Sequence, residues 1–116
     1  MSKRLLLLTY NLRRGADLAE YDNFMRDVDY PVFRARPEVR SYHGYHIVGD
    51  GQGDPGFRHF DLLEVDDFAD ADKIFGHPDV AAHAGSWVER WSEHGPDAPP
   101  EMNFGMSFCE RIDEVD

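Results

Sequence analysis

The chain has 116 residues, enough for one domain with a modest core and too few for two. Hydrophobic residues make up 41% and aromatic residues 13%, which excludes a chain disordered by composition. Twelve Lys and Arg against 23 Asp and Glu leave a net charge of -11, so the basic footprint that nucleic acids and anionic membranes demand is missing.

Arg4 to Leu12 reads as the first strand. Leu5 to Leu8 put apolar groups on both of its faces, so both faces are expected to be covered. This longest apolar run is too short to span a bilayer or to form a signal core, and a cytoplasmic protein is expected. Arg13-Arg14-Gly15 break the pattern. Asp17 is placed to cap a helix running to about Phe33, with the stripe Leu18, Tyr21, Met25, Val28 and Val32 and with Phe24 alongside. Pro31 is expected to kink or end it. Val39 to Val48 and Phe57 to Val65 read as strands two and three. The glycine-rich turn Gly49 to Gly56 joins them as an antiparallel hairpin and reads as a flap over a cleft mouth. Asp66 and Asp67 open a helix carrying Phe68, Ala71, Ile74 and Phe75. Gly76-His77-Pro78 interrupts it, and Pro78 starts another with the stripe Val80, Ala84, Trp87, Val88 and Trp91. After a proline-rich connection, Glu93 to Pro100, Asn103 to Ile112 forms the last strand, and the acidic tail 113–116 is expected to fray. Cys109 is the sole cysteine, which excludes an intramolecular disulfide and any multi-cysteine metal site.

The order β-α-β-β-α-α-β predicts an α+β domain spanning residues 1–116. Its plan is a ferredoxin-like four-stranded antiparallel sheet with helices on one face. The other face still carries aliphatic side chains. Such a patch marks an interface, so a homodimer packing two sheets face to face is expected.

The element order, the strand Gly56-Phe57-Arg58-His59-Phe60-Asp61-Leu62-Leu63-Glu64-Val65 and the later Phe75-Gly76-His77-Pro78 resemble the dimeric α/β-barrel superfamily. The resemblance covers about Lys3 to Ile112 and is strongest to the RedY/HapK-type proteins of bacterial pigment and indole alkaloid biosynthesis (prodiginines, bisindoles). It implies a small cofactor-independent cyclase or tailoring enzyme acting on an aromatic intermediate of the indole or pyrrole type. Plant polyketide cyclases of this superfamily carry a strand histidine and a later His-Pro-x-His motif. Here His59 takes the strand position and His77-Pro78 the first half of the motif. Val80 stands where the second histidine belongs, and the next histidine is His83.

The residues suggest the same kind of chemistry. Histidines titrate near neutrality. Strand alternation puts His59 and Asp61 on one face, where a carboxylate beside an imidazole suits proton abstraction. His43 and His83 are the candidate partner acids. His43 and His46 point to opposite strand faces, and although a cross-strand His43–His59 pair with Asp61 would form a set of N and O ligands, neither a metal nor a cofactor is expected. Tyr10, Phe24, Tyr45 and Trp87 are candidate walls for a small aromatic substrate. Arg58 is a candidate for a substrate carboxylate, and Asn103 for a hydrogen bond. Two other readings stay open: a cofactor-free monooxygenase, and a non-catalytic protein that delivers a biosynthetic intermediate. No nucleic acid or membrane partner is expected.

Overall fold

A computed structural model describes residues 4–92 and 104–112. The strands are β1 (Arg4–Tyr10), β2 (Ser41–His46), β3 (His59–Val65) and β4 (Phe104–Glu110). They form one antiparallel sheet in the order β2-β3-β1-β4. The helices are α1 (Leu18–Phe24), α2 (Tyr30–Arg34), α3 (Asp70–Phe75) and α4 (Pro78–Trp91). This is the ferredoxin-like plan expected from the element order. The predicted connection Glu93 to Pro100, the tail 113–116 and Asn103 lie outside the described residues. No described helix is long and apolar enough to cross a membrane.

Local chemistry accounts for the helix starts. Asp17 accepts the Glu20 amide at 3.1 Å and caps α1. His77 caps α4 through Nδ1, which accepts the Asp79 amide at 3.1 Å, and Pro78 follows at the first turn, where its missing amide proton costs nothing.

The first helical segment departs from expectation in one respect. Between α1 and α2 the chain makes a widened π-helical turn, Met25–Asp29, and so runs on to Arg34 through Pro31. The wider turn accommodates a proline ring that a regular helix would reject. It also adds one residue before the next inward position. Val28 is therefore 43% exposed, and the buried line is Tyr21, Met25, Asp29 and Phe33. Leu18, also predicted inside, is 53% exposed.

Leu6, Leu8 and Tyr10 of β1 and His59, Asp61, Leu63 and Val65 of β3 point under the helices and are buried. Removing a side chain such as Leu63 from water stabilises the fold by about 2 kcal/mol. The core has two parts. Leu6, Phe33, Tyr42, Leu63, Val65, Ile74 and Val80 form an aliphatic-rich end. Tyr10, Tyr21, Met25, Trp87 and Trp91 form an aromatic end. A short bridge from Leu12 to Ser92 and the Arg13 amide bond to the Trp91 carbonyl (3.0 Å) tie the end of α4 across the end of β1. The described residues leave the opposite sheet face open: Leu5, Leu7, Phe60 and Leu62 are half-buried and Tyr45 is exposed.

Candidate functional site

A polar seam lies where the two core parts meet. Asp61 sits in β3 with Leu8 of β1 opposite it on one side and Gly44 of β2 on the other. A Cβ on residue 44 would stand 2.9 Å from both Asp61 Oδ1 and Met25 Cε, so the close approach requires glycine here.

Five hydroxyl and ring partners surround the seam. The Tyr10 hydroxyl donates to Asp61 Oδ1 at 2.9 Å. The Tyr42 hydroxyl lies 2.5 Å from Asp29 Oδ2 and 3.1 Å from Asp61 Oδ2. His83 Nε2 meets Asp29 Oδ1 at 2.5 Å, with both residues buried. Trp87 Nε1 donates to the Tyr21 hydroxyl (3.0 Å), which donates to that of Tyr10 (2.9 Å). A continuous line therefore runs from Trp87 through Tyr21, Tyr10, Asp61 and Tyr42 to Asp29, and His83 meets it at the far end.

The protons on this line follow from counting donors. Burial, helped by the neighbouring Asp29 charge, pushes the Asp61 pKa up to about 8. Asp61 is therefore mostly protonated at neutral pH. Tyr42 has one proton, placed on the shorter contact to Asp29, so Asp61 supplies its own proton to the Tyr42 oxygen. Burial also raises the pKa values of Tyr10, Tyr21 and Tyr42, and the Asp61 charge adds to it, so all three remain hydroxyls. Asp29 thus accepts on both oxygens, from Tyr42 and from His83.

A cavity of about 170 Å³ opens onto this seam. Tyr10, Asp29, Tyr42, Asp61, His83 and Trp87 line it together with Leu8, Phe33, Phe75, Val88 and Phe104, and among the described residues no Lys or Arg does. Its size suits a small aromatic ring, since an apolar void of roughly 150 Å³ takes benzene. Phe24 stacks on the His83 imidazole (centroids 5.6 Å apart, planes 17°) and Phe33 meets it edge-on.

The structure brings Asp61, His83, Tyr10 and Trp87 of the sequence-predicted site into one cavity. His59 and Asp61 do share a face, but they are not paired. The Asp61 oxygens are taken by Tyr10 and Tyr42, and the carboxylate that pairs with an imidazole is Asp29, with His83. His59 instead lies flat against Tyr10 (5.5 Å, 10°) in an adjoining cleft. His43 is exposed on the other sheet face, its Nδ1 3.2 Å from an Arg34 nitrogen, and so cannot act with Asp61. Tyr45 is on that face too, stacked on Phe60 at 5.0 Å. Arg58 is held by Asp50 (2.6 Å) outside the cavity, and residues 49–56 line neither the cavity nor the adjoining cleft. Asn103 lies outside the described residues. Among the described residues no group of three or more His, Cys, Asp or Glu is arranged to hold a metal ion.

Asp29, Tyr42 and Tyr21 escape the sequence reading. The signal for Asp29 was its place four residues after Met25 and four before Phe33. A strict 3.6-residue period assigns the inward positions to 28 and 32 instead.

No curated protein matches the chain. Among solved structures, HapK from Hahella chejuensis superposes with a TM-score of 0.69 at 12% identity, covering 97% of this chain and 96% of that one. An EthD (ethyl tert-butyl ether D) family protein from Bacillus halodurans gives 0.63 at 16% identity, covering 97% and 100%. A dimeric protein of unknown function with a ferredoxin-like fold from Bacteroides fragilis gives 0.61 at 14% identity, covering 94% and 96%. At these identities the likeness is one of fold. Residues 4–94 match the family described as REDY-like protein HapK. The chain therefore belongs to the REDY-like HapK family.

Proposed function

We propose that this protein is a small cofactor-independent enzyme of natural-product biosynthesis that moves a proton on an aromatic intermediate and so assists its ring closure. The observation that carries this reading is the buried Asp29–His83 pair opening onto an apolar cavity that also holds the protonated Asp61. Asp29 takes the His83 Nε2 proton in its hydrogen bond, which fixes the tautomer and leaves Nδ1 as the basic nitrogen. His83 then removes a proton from a carbon next to a carbonyl, and Asp29 stabilises the imidazolium that forms. Asp61, its proton engaged with Tyr42, puts no second negative charge beside the carbonyl oxygen on which charge develops. The enolate carbon then attacks a second carbonyl of the same molecule, whose π bond opens to an alkoxide, and the imidazolium gives its proton to that oxygen, so the step is balanced without a redox partner. The apolar walls hold the ring in place and lower the entropy cost of closure.

The reading is tested with phenylacetone, a neutral aromatic ketone, by following deuterium uptake at its benzylic carbon in heavy water by NMR. Wild-type protein accelerates exchange equally in air and under argon, and His83→Asn loses about a hundredfold or more of that acceleration. No acceleration by the wild-type protein overturns the proposal. Oxygen consumption with an oxygenated product would favour the monooxygenase reading instead.

The reading includes a homodimer. The face with Leu5, Leu7, Phe60 and Leu62 is left open by the described residues, and the similar Bacteroides fragilis protein is dimeric. Sedimentation at micromolar concentration is expected to give two chains for the wild type and one for Leu7→Arg; a wild-type monomer rules the dimer out.

A further inference from the structure

Tyr10 walls a second, larger cleft of about 320 Å³, bounded also by Tyr21, Met25, Tyr30, His46 and His59. His59 is the unusual group in it. It is 6% exposed, and none of its side-chain contacts with the described residues is a hydrogen bond. Those contacts are ring faces and edges: stacked on Tyr10, and edge-on to Tyr21 at 5.6 Å and to His46 at 6.3 Å. Buried imidazoles normally spend a ring nitrogen on a partner. The other polar groups of the cleft already have partners. The Tyr30 hydroxyl accepts the Gly44 amide at 2.8 Å, His46 Nδ1 lies 3.5 Å from Asp22 Oδ1, and Arg26 donates to Asn23 at 2.6 Å. Burial and the nearby His46 lower the His59 pKa, which keeps a lone pair on its ring.

We infer that this cleft is a second binding site, taking an uncharged planar aromatic molecule whose single O–H or N–H donates to His59. Tyr10, Tyr21 and Tyr30 supply the stacking and edge contacts such a ring prefers. Met25 adds a polarisable wall. The volume is about twice that of a void that takes one benzene ring, so two fused rings fit. The site does not depend on the reaction proposed above, because it uses none of Asp29, Asp61 or His83.

The test uses 2-naphthol and its methyl ether, 2-methoxynaphthalene, titrated into the full-length protein by calorimetry. The naphthol is expected to bind wild type about tenfold tighter than the ether, the worth of one well-placed hydrogen bond to a buried acceptor. His59→Phe keeps the ring stack, removes the acceptor and is expected to abolish the preference, while His83→Asn leaves it in place. Equal binding of the two probes by wild type overturns the inference without needing any variant. So does no binding of either probe, or a preference that disappears with His83 and persists without His59. Each of these results is independent of whether phenylacetone exchanges.

Discussion

Asp61→Asn is expected to make the protein more stable at alkaline pH and to remove most of the loss of stability that the wild type suffers toward pH 8. The sign follows from the direction of the shift. An unfolded aspartate ionises near pH 4, whereas folded Asp61 holds its proton up to about pH 8. Between those limits the native state binds one more proton than the unfolded chain, so stability falls as pH rises. Its contribution is fully present below pH 4 and gone above about pH 8, with a slope of up to about 1.4 kcal/mol per pH unit. Other groups act elsewhere. His59, with its lowered pKa, disfavours the fold only as pH drops below about 6.5. Asp50 and Asp66, lowered by Arg58 and Arg40, act in stronger acid. The window from about pH 6.5 to 8 therefore isolates Asp61. Asparagine fits the site without a charge, because its oxygen accepts from Tyr10 and its amide donates to the Tyr42 oxygen. Urea midpoints by tryptophan fluorescence from pH 5 to 9 check this. Parallel curves for wild type and variant would show that Asp61 is ionised in the fold.

Changes at Asp29 divide into a structural and a chemical effect. Asp29→Ala leaves the His83 nitrogen buried without its partner and the Tyr42 hydroxyl with Asp61 alone. Each buried hydrogen bond to a carboxylate is worth about 1.5–3 kcal/mol, and the change removes two of them. A domain of this size has about 5–15 kcal/mol in total, so the alanine variant is expected at the edge of folding. Asp29→Asn is milder. Its oxygen keeps the Tyr42 bond, and its amide donates to His83 Nε2 once the imidazole carries its proton on Nδ1. That change of tautomer takes the lone pair from Nδ1, the nitrogen the mechanism uses as base. The asparagine variant is therefore expected to fold and to lose the acceleration of benzylic exchange as fully as His83→Asn does. Wild-type exchange rates in a folded Asp29→Asn protein would remove the pair from the mechanism.

The elements were legible because periodicity and punctuation agreed. Asp17, Gly49 to Gly56 and Pro78 each stand where the chain changes direction. Alternation along β3 also placed His59 and Asp61 on one face, and the structure buries that face under the helices. Their supposed pairing was not legible, because partners are set by cross-strand register and by tyrosines arriving from β1 and β2. Neighbours two apart on a strand share a face, but a carboxylate there bonds whichever hydroxyl the adjacent strands bring nearest. Asp29 was hidden by the widened turn, which moves the inward position by one residue and is invisible to a fixed period.

Trp87 has a consequence for the whole polar line. An indole N–H has no lone pair to offer, so that terminus can only give. Tyr21 and Tyr10 behind it pass the donation on in one direction, as far as Asp61. The indole works like a diode at the head of a wire: it sets the direction of current that the acid at the other end receives.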